Sequence, residues 1–225
     1  MKAAHYPAPI GDSVTEACAG ALGYSTYYGV THVEAWDVDP IIVGVWNFLC
    51  RATADEINAL PDMAAVGDHV DNYAIPQEAK WLIGFWLNRG SASPKKSRTA
   101  YSARTDRAQL NWGVKAKERI VSQLPALEHW KVRLGSYDNA PDVETTWFID
   151  PPYQDKGRYY RFPLTDFGNL ARWTLSRRGL VLVCEGAGAD WLPFVPLGSF
   201  KSTKGRSEEM AFISGAPMTL FGEPS

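Results

Sequence analysis

Residues 145–149 (Thr-Thr-Trp-Phe-Ile) are all β-branched or aromatic, and they run directly into Asp150-Pro151-Pro152-Tyr153. The run has strand chemistry. The tandem prolines end it, because each fixes φ near −65° and removes an N–H donor. What remains is a rigid turn that presents one carboxylate, a row of carbonyl acceptors and one aromatic ring. That inventory suits a planar exocyclic amine, whose N–H groups need two acceptors and whose ring needs a π face. In α/β sheets ligands gather beyond the carboxyl ends of strands. A chain carrying this turn is therefore expected to fold around such a sheet.

The rest of the sequence supplies it. Strands are expected at residues 13–17, 31–36 and 130–134, and a last one at 210–213. Residues 180–184 are almost wholly aliphatic, the pattern of a central strand covered on both faces. Helical patterning falls on residues 41–49, on 54–60 with Thr53 as N-cap, and on 77–88, 115–124 and 167–176. Trp46, Trp81, Trp86 and Trp173 lie in these helical stretches and are expected in the core. The alternation predicts an α/β fold with residues 1–60 and 120–225 as the main domain and 61–119 as an inserted, mostly helical lobe.

A second constellation precedes the first. Glu16-Ala17-Cys18-Ala19-Gly20-Ala21-Leu22-Gly23 places glycines in the first strand-to-helix turn, and Asp37 follows at the end of the next strand. A glycine-bearing turn with an acid about 20 residues on is the nucleotide-binding arrangement of Rossmann-like folds, where the acid holds the ribose hydroxyls.

Charge is nearly balanced, with 23 Lys+Arg against 25 Asp+Glu, but it is unevenly placed. Residues 1–88 hold three bases and eleven acids, net −8, whereas 89–119 hold nine bases and two acids, net +7. The basic stretch carries Lys95, Lys96, Arg98, Arg104 and Arg107 together with Tyr101 and Trp112. Cations that follow phosphates and rings that stack on bases predict a nucleic-acid surface. Tyr159 and Tyr160, between Arg158 and Arg161, are candidates to close over a target base; Glu208-Glu209 reads equally as a late hairpin near phosphate or as a solvated loop.

Taken in order, the E-x-x-x-G turn, the acid before Pro40, the long insertion and D-P-P-Y resemble the Dam-like adenine-specific DNA methyltransferases of phage type. The supporting pieces include residues 34–40, 82–87, 147–153 and 184–194. The resemblance implies a Rossmann-like S-adenosylmethionine-dependent methyltransferase sheet whose insertion recognises the target in double-stranded DNA. It implies cofactor contacts from Glu16, Ala17, Cys18, Gly20, Gly23, Asp37 and Tyr137, with Asp39 the weaker ribose candidate. Asp150 and the carbonyl of Pro151 would accept from the target N6, with Pro152 fixing the turn and Tyr153 stacking on the flipped base. Rival expectations are the same chemistry on cytosine N4 or RNA, and a binding protein without catalysis. The chain opens Met1-Lys2-Ala3-Ala4 where the family carries a P-G-G-K-like segment, and Ala17, Cys18 and Ser136 replace a usual Pro, an aromatic and a frequent acid.

Other chemistries are disfavoured. Cys18, Cys50 and Cys184 are isolated, and none stands in the Pro-Cys turn that methylation at ring carbon five requires. His5, His32, His69 and His129 lack metal-ligand spacing, so no metal is expected. The N-terminus has no apolar h-region, and the longest apolar run, 41–50, is far short of the roughly 20 residues of a membrane span. A monomeric cytoplasmic enzyme is expected, in a bacterium or a phage-infected cell, with restriction-modification among its settings.

Overall fold

A computed structural model of the chain describes residues 2–87, 93–104, 111–155, 157, 160–202 and 205–215. Two compact units divide it: Met1–Asp39 with Trp130–Ser225, and Pro40–His129. In chain order the elements are β1 (Ser13–Glu16), α1 (Gly23–Tyr28), β2 (His32–Asp37), α2 (Pro40–Arg51), α3 (Ala54–Ala59), α4 (Gln77–Leu87), α5 (Val114–Gln123), β3 (Trp130–Leu134), β4 (Thr146–Ile149), α6 (Phe167–Leu175), β5 (Val181–Gly186), β6 (Val195–Ser202) and β7 (Gly205–Ser214).

The first unit is a seven-stranded sheet in the order β3-β2-β1-β4-β5-β7-β6. The first five strands pair in parallel, and β7 runs antiparallel to both β5 and β6. Up to β5 this is the doubly wound nucleotide-binding order, in which the chain changes direction between β1 and β4. In sheets of this order ligands bind in a crevice at the carboxyl ends of those two strands. All four residues of β4, and Val181 to Glu185 of β5, are buried, as a parallel sheet covered on both faces requires. Trp147 and Ile149 of β4 and Val181 and Val183 of β5 join Leu170 of α6 and Leu192 in one hydrophobic cluster. The β3–β4 crossover holds only a 3-10 turn, Tyr137–Asn139, among its described elements.

The second unit is helical. Thr53 caps α3 through a complete capping box with Glu56. α2 packs on α4 and α3 on α5. The inserted unit, Pro40–His129, is therefore wider than the expected 61–119, because α2 and α3 pack on the helices α4 and α5 within it.

Two further expectations change. The four helical tryptophans are half-buried, Trp173 packing against the sheet's core cluster, whereas Trp36, Trp112, Trp130 and Trp147 are buried. The late strand is one arm of a long hairpin, β6–β7, whose register runs from Val195–Ala211 to Ser202–Gly205. Its polar residues (Arg206, Glu208, Glu209) break the aliphatic pattern by which an inner strand such as β7, paired on both sides, is read from sequence. Among the described residues no helix is long and apolar enough to cross a membrane.

Candidate functional site

The carboxyl ends of β1 and β4 lie side by side, with Glu16 in register with Phe148. The turn after β1 is tied to both neighbours. Ala17 N–H donates to Phe148 O (3.3 Å) and Ala19 N–H to Trp36 O (2.8 Å). Gly20 takes φ +46°, a left-handed conformation that disfavours side chains, and its N–H donates to Asp37 Oδ2 at 2.9 Å. Asp37 Oδ1 accepts from Asp39 N–H at 2.8 Å. Burial pushes the Asp37 carboxyl above its ordinary value, against the downward pull of those two bonds. A methyl group built on Gly20 or Gly23 would meet no atom within 4 Å, so the turn borders open space that a ligand can enter.

Glu16 is 2% exposed, and its Oε1 accepts from Ser25 N–H (2.9 Å) and Ser25 Oγ–H (2.6 Å), which pins the start of α1. Burial pushes its carboxyl up to about 8, opposed by the Ser25 bonds and assisted by Asp150. Ala17 is buried and Cys18 half-buried. Burial raises the Cys18 thiol, and the carboxylates of Asp37, Asp150 and Glu16 raise it further. One thiol therefore feels the acids of both constellations, Glu16 and Asp37 from the first and Asp150 from the second.

Asp150 leaves β4 with one side open to solvent. The surrounding protein pushes its carboxyl up, to about 6, and Glu209 adds to the rise while Lys2 opposes it. Solvent on the open side screens this shift. Pro151 is buried and Pro152 half-buried. The turn is braced by acids from the next strand and loop. Gln154 N–H donates to Glu185 Oε2 (3.1 Å), and Gln154 Nε2 to Asp190 Oδ1 (3.1 Å). Glu185, 1% exposed, also accepts from Trp191 Nε1 at 3.0 Å. Gly157 returns against the turn, its N–H on Tyr153 O at 2.5 Å, so close that an added Cβ would stand 2.8 Å from the Pro152 carbonyl carbon.

Tyr153 borders a cavity of about 230 Å³ lined also by Asp155, Glu185, Gly186, Arg206 and Glu208. Its hydroxyl donates to Glu209 Oε1 at 2.8 Å. Glu209 is 2% exposed and also receives Lys2 Nζ (2.6 Å) and Tyr6 O–H (3.2 Å). Neither Lys2, Tyr6, Glu185 nor Glu209 stood out in the sequence as a site residue. The one available signal was an acid pair inside a segment that also reads as a hairpin.

Tyr137 is half-buried; its hydroxyl accepts from Asn169 Nδ2 at 2.8 Å and its ring meets Trp173 edge-on at 5.1 Å. Tyr160 is 54% exposed. Tyr159 and Arg158 lie outside the described residues, as does Arg107 in the basic stretch.

Within the second unit, two members of the expected nucleic-acid surface turn inward. Trp112 is 0% exposed and donates through Nε1 to Pro61 O at 2.7 Å, so its ring fills the unit's core instead of facing a base. Arg98 is 8% exposed and donates to Trp112 O at 2.7 Å, which makes it a brace for that core. Lys96 is exposed and paired with Asp71 at 2.8 Å, while Lys95 and Arg104 are exposed. Among the described residues no group of three His, Cys, Asp or Glu could hold a metal ion.

Fold and site together define an α/β protein whose acidic crevice lies at the point where its parallel sheet reverses. No protein-family model matches the chain and no curated protein matches it. Among solved structures, a conserved hypothetical protein from Streptococcus pyogenes aligns over 89% of this chain and 84% of its own, at 8% identity and a TM-score of 0.38.

Proposed function

We propose that this protein is an S-adenosylmethionine-dependent methyltransferase acting on the exocyclic N6 of adenine in DNA. The observation that carries the reading is the adjacency of β1 and β4. It brings the Gly20 turn with Asp37 and the D-P-P-Y turn to one crevice, where Cys18 feels Glu16, Asp37 and Asp150 together. The Asp37 and Asp150 carboxylates at these strand ends favour a cationic ligand, and a sulfonium bearing an ammonium group is one.

The open space before Gly20 and Gly23, with Asp37 beside it, fits the cofactor's nucleoside end, and Tyr137 lies near Cys18. When bound, S-adenosylmethionine supplies an electrophilic methyl group. The chain's own work is to make the amine nucleophilic. An exocyclic amine is a weak nucleophile because its lone pair is delocalised into the ring. Asp150 and the Pro151 carbonyl, accepting from its two N–H groups, draw it toward tetrahedral geometry and free the lone pair. Tyr153 offers the ring on which an extruded base stacks. The adjoining cavity, about 230 Å³ against the roughly 300 Å³ at which drug-sized pockets begin, suits a single ring system. Positioning and electrostatics account for the rate without a covalent intermediate.

Incubating the chain with methyl-labelled S-adenosylmethionine and mixed double-stranded DNA, then digesting it, identifies the labelled nucleoside. N6-methyladenine is expected, with transfer reduced by about 10²–10³ in Asp150→Asn. Label on cytosine N4 or on RNA redirects the reading to those substrates. DNA binding without cofactor binding or transfer overturns it.

A further inference from the structure

Glu209 faces into the first unit from β7, opposite Gly186 of β5 and Gly198 of β6. Its three donors, Lys2 Nζ, Tyr6 O–H and Tyr153 O–H, lie 207, 203 and 56 positions away in sequence. A buried carboxylate is unfavourable unless its charge and lone pairs are met, and here they are met by three donors, one of which, Tyr153, belongs to the turn that carries Asp150. The Lys2 ammonium also lies 5.9 Å from the Tyr153 ring centroid.

We infer that Glu209 is a positioning residue: one oxygen fixes the Tyr153 ring, and the other holds the Lys2 ammonium beside that ring, next to the turn that carries Asp150. The role given to Asp150 and Tyr153 rests on the methyltransferase reading, whereas the contacts stand on geometry alone. The groups facing Asp150 come from every neighbouring element: Glu209 from β7, Lys2 and Tyr6 from the N-terminal turn, Cys184 and Glu185 from β5, Glu16 and Cys18 from the β1 turn, and Tyr153 and Tyr160 from its own loop. Glu209 favours the protonated form of Asp150 and Lys2 the ionised form. Removing either one is expected to move Asp150 in opposite directions.

Carboxyl ¹³C NMR on the full chain, with the Asp150 signal assigned by its loss in Asp150→Asn, reads this without any methyl transfer. Glu209→Gln keeps an acceptor for the Tyr153 hydroxyl but removes the charge, and the Asp150 midpoint is expected to fall by about 0.5–1 pH unit. Lys2→Met is expected to raise it by a similar amount. The acid limb of methyl transfer is expected to move with the NMR midpoint in each variant. Glu209→Ala, which also releases Tyr153, is expected to raise KM for the DNA target where Glu209→Gln does not. Midpoints that stay still, or that shift the same way in both charge variants, overturn the inference even if transfer is normal. Opposed shifts without any transfer leave the Glu209 assignment standing and remove the methyltransferase reading.

Discussion

Arg161 Nη1 donates to Asp39 Oδ1 at 3.0 Å and to Oδ2 at 3.3 Å, joining the segment after D-P-P-Y to the turn after β2. β1 lies between β2 and β4 in the sheet, so this pair spans the carboxyl edge of β1, where the Gly20 turn opens. The Asp39 side chain is 11% exposed and that of Arg161 is 41% exposed. A half-buried latch of this kind is worth about 1 kcal/mol. If the protein is the methyltransferase proposed above, Arg161→Ala is therefore expected to speed dissociation of S-adenosylhomocysteine by about 3–5-fold in stopped-flow fluorescence. An unchanged off-rate would remove the latch from the cofactor path.

Glu16 makes stability depend on pH. Its folded-state carboxyl is pushed up to about 8 by burial, so the native state holds a proton that the unfolded chain releases near pH 4.3. Stability from this group is present at low pH and is lost as pH rises from about 4.3 through 8. Glu16→Gln is expected to match wild type at pH 5 and to exceed it at pH 8.5 by on the order of 1–2 kcal/mol. Calorimetric melting at the two pH values checks this, and parallel pH slopes would contradict it.

Gly157 has no room for a side chain. Its Cβ would meet three atoms of Pro152 at 2.8–2.9 Å, and neither the proline ring nor its carbonyl can yield without moving the turn. Gly157→Ala is expected to cost about 1–3 kcal/mol and to reduce methyl transfer more than cofactor binding, since the displaced turn carries Asp150. Equal losses in both assays would assign Gly157 to general stability.

The inward-facing aromatic and the outward-facing cations of the second unit separate in one experiment. Trp112→Phe removes the bond to Pro61 O and is expected to lower stability by about 1–3 kcal/mol while leaving the salt dependence of DNA binding unchanged. Lys95→Ala and Arg104→Ala are each expected to reduce the slope of log K against log salt by about 1. A flattened slope in Trp112→Phe alone would restore the ring to the DNA surface.

Local sequence was enough for most of the elements and for the two turns, though not for β6. Residues 180–184 could only be a covered strand, and Pro151-Pro152 could only end one, because side-chain volume and a missing N–H act within a few residues. Asp150, Asp37 and Gly20 were legible for the same reason, each being tied to its own strand end. Glu185, Glu209, Lys2 and Tyr6 were not: a polar residue in an edge hairpin or near a chain end carries no local sign that it is buried. Trp112 and Arg98 were misread as surface because clustered bases look solvated until packing shows which of them brace a core. The sequence by itself determined which residues end strands and which chemistry those ends present, since short-range sterics and hydrogen bonding decide both. Only the tertiary structure decided that β7 brings Glu209 to Tyr153 and Lys2, because desolvation and charge pairing act through space, across 56 and 207 positions of chain.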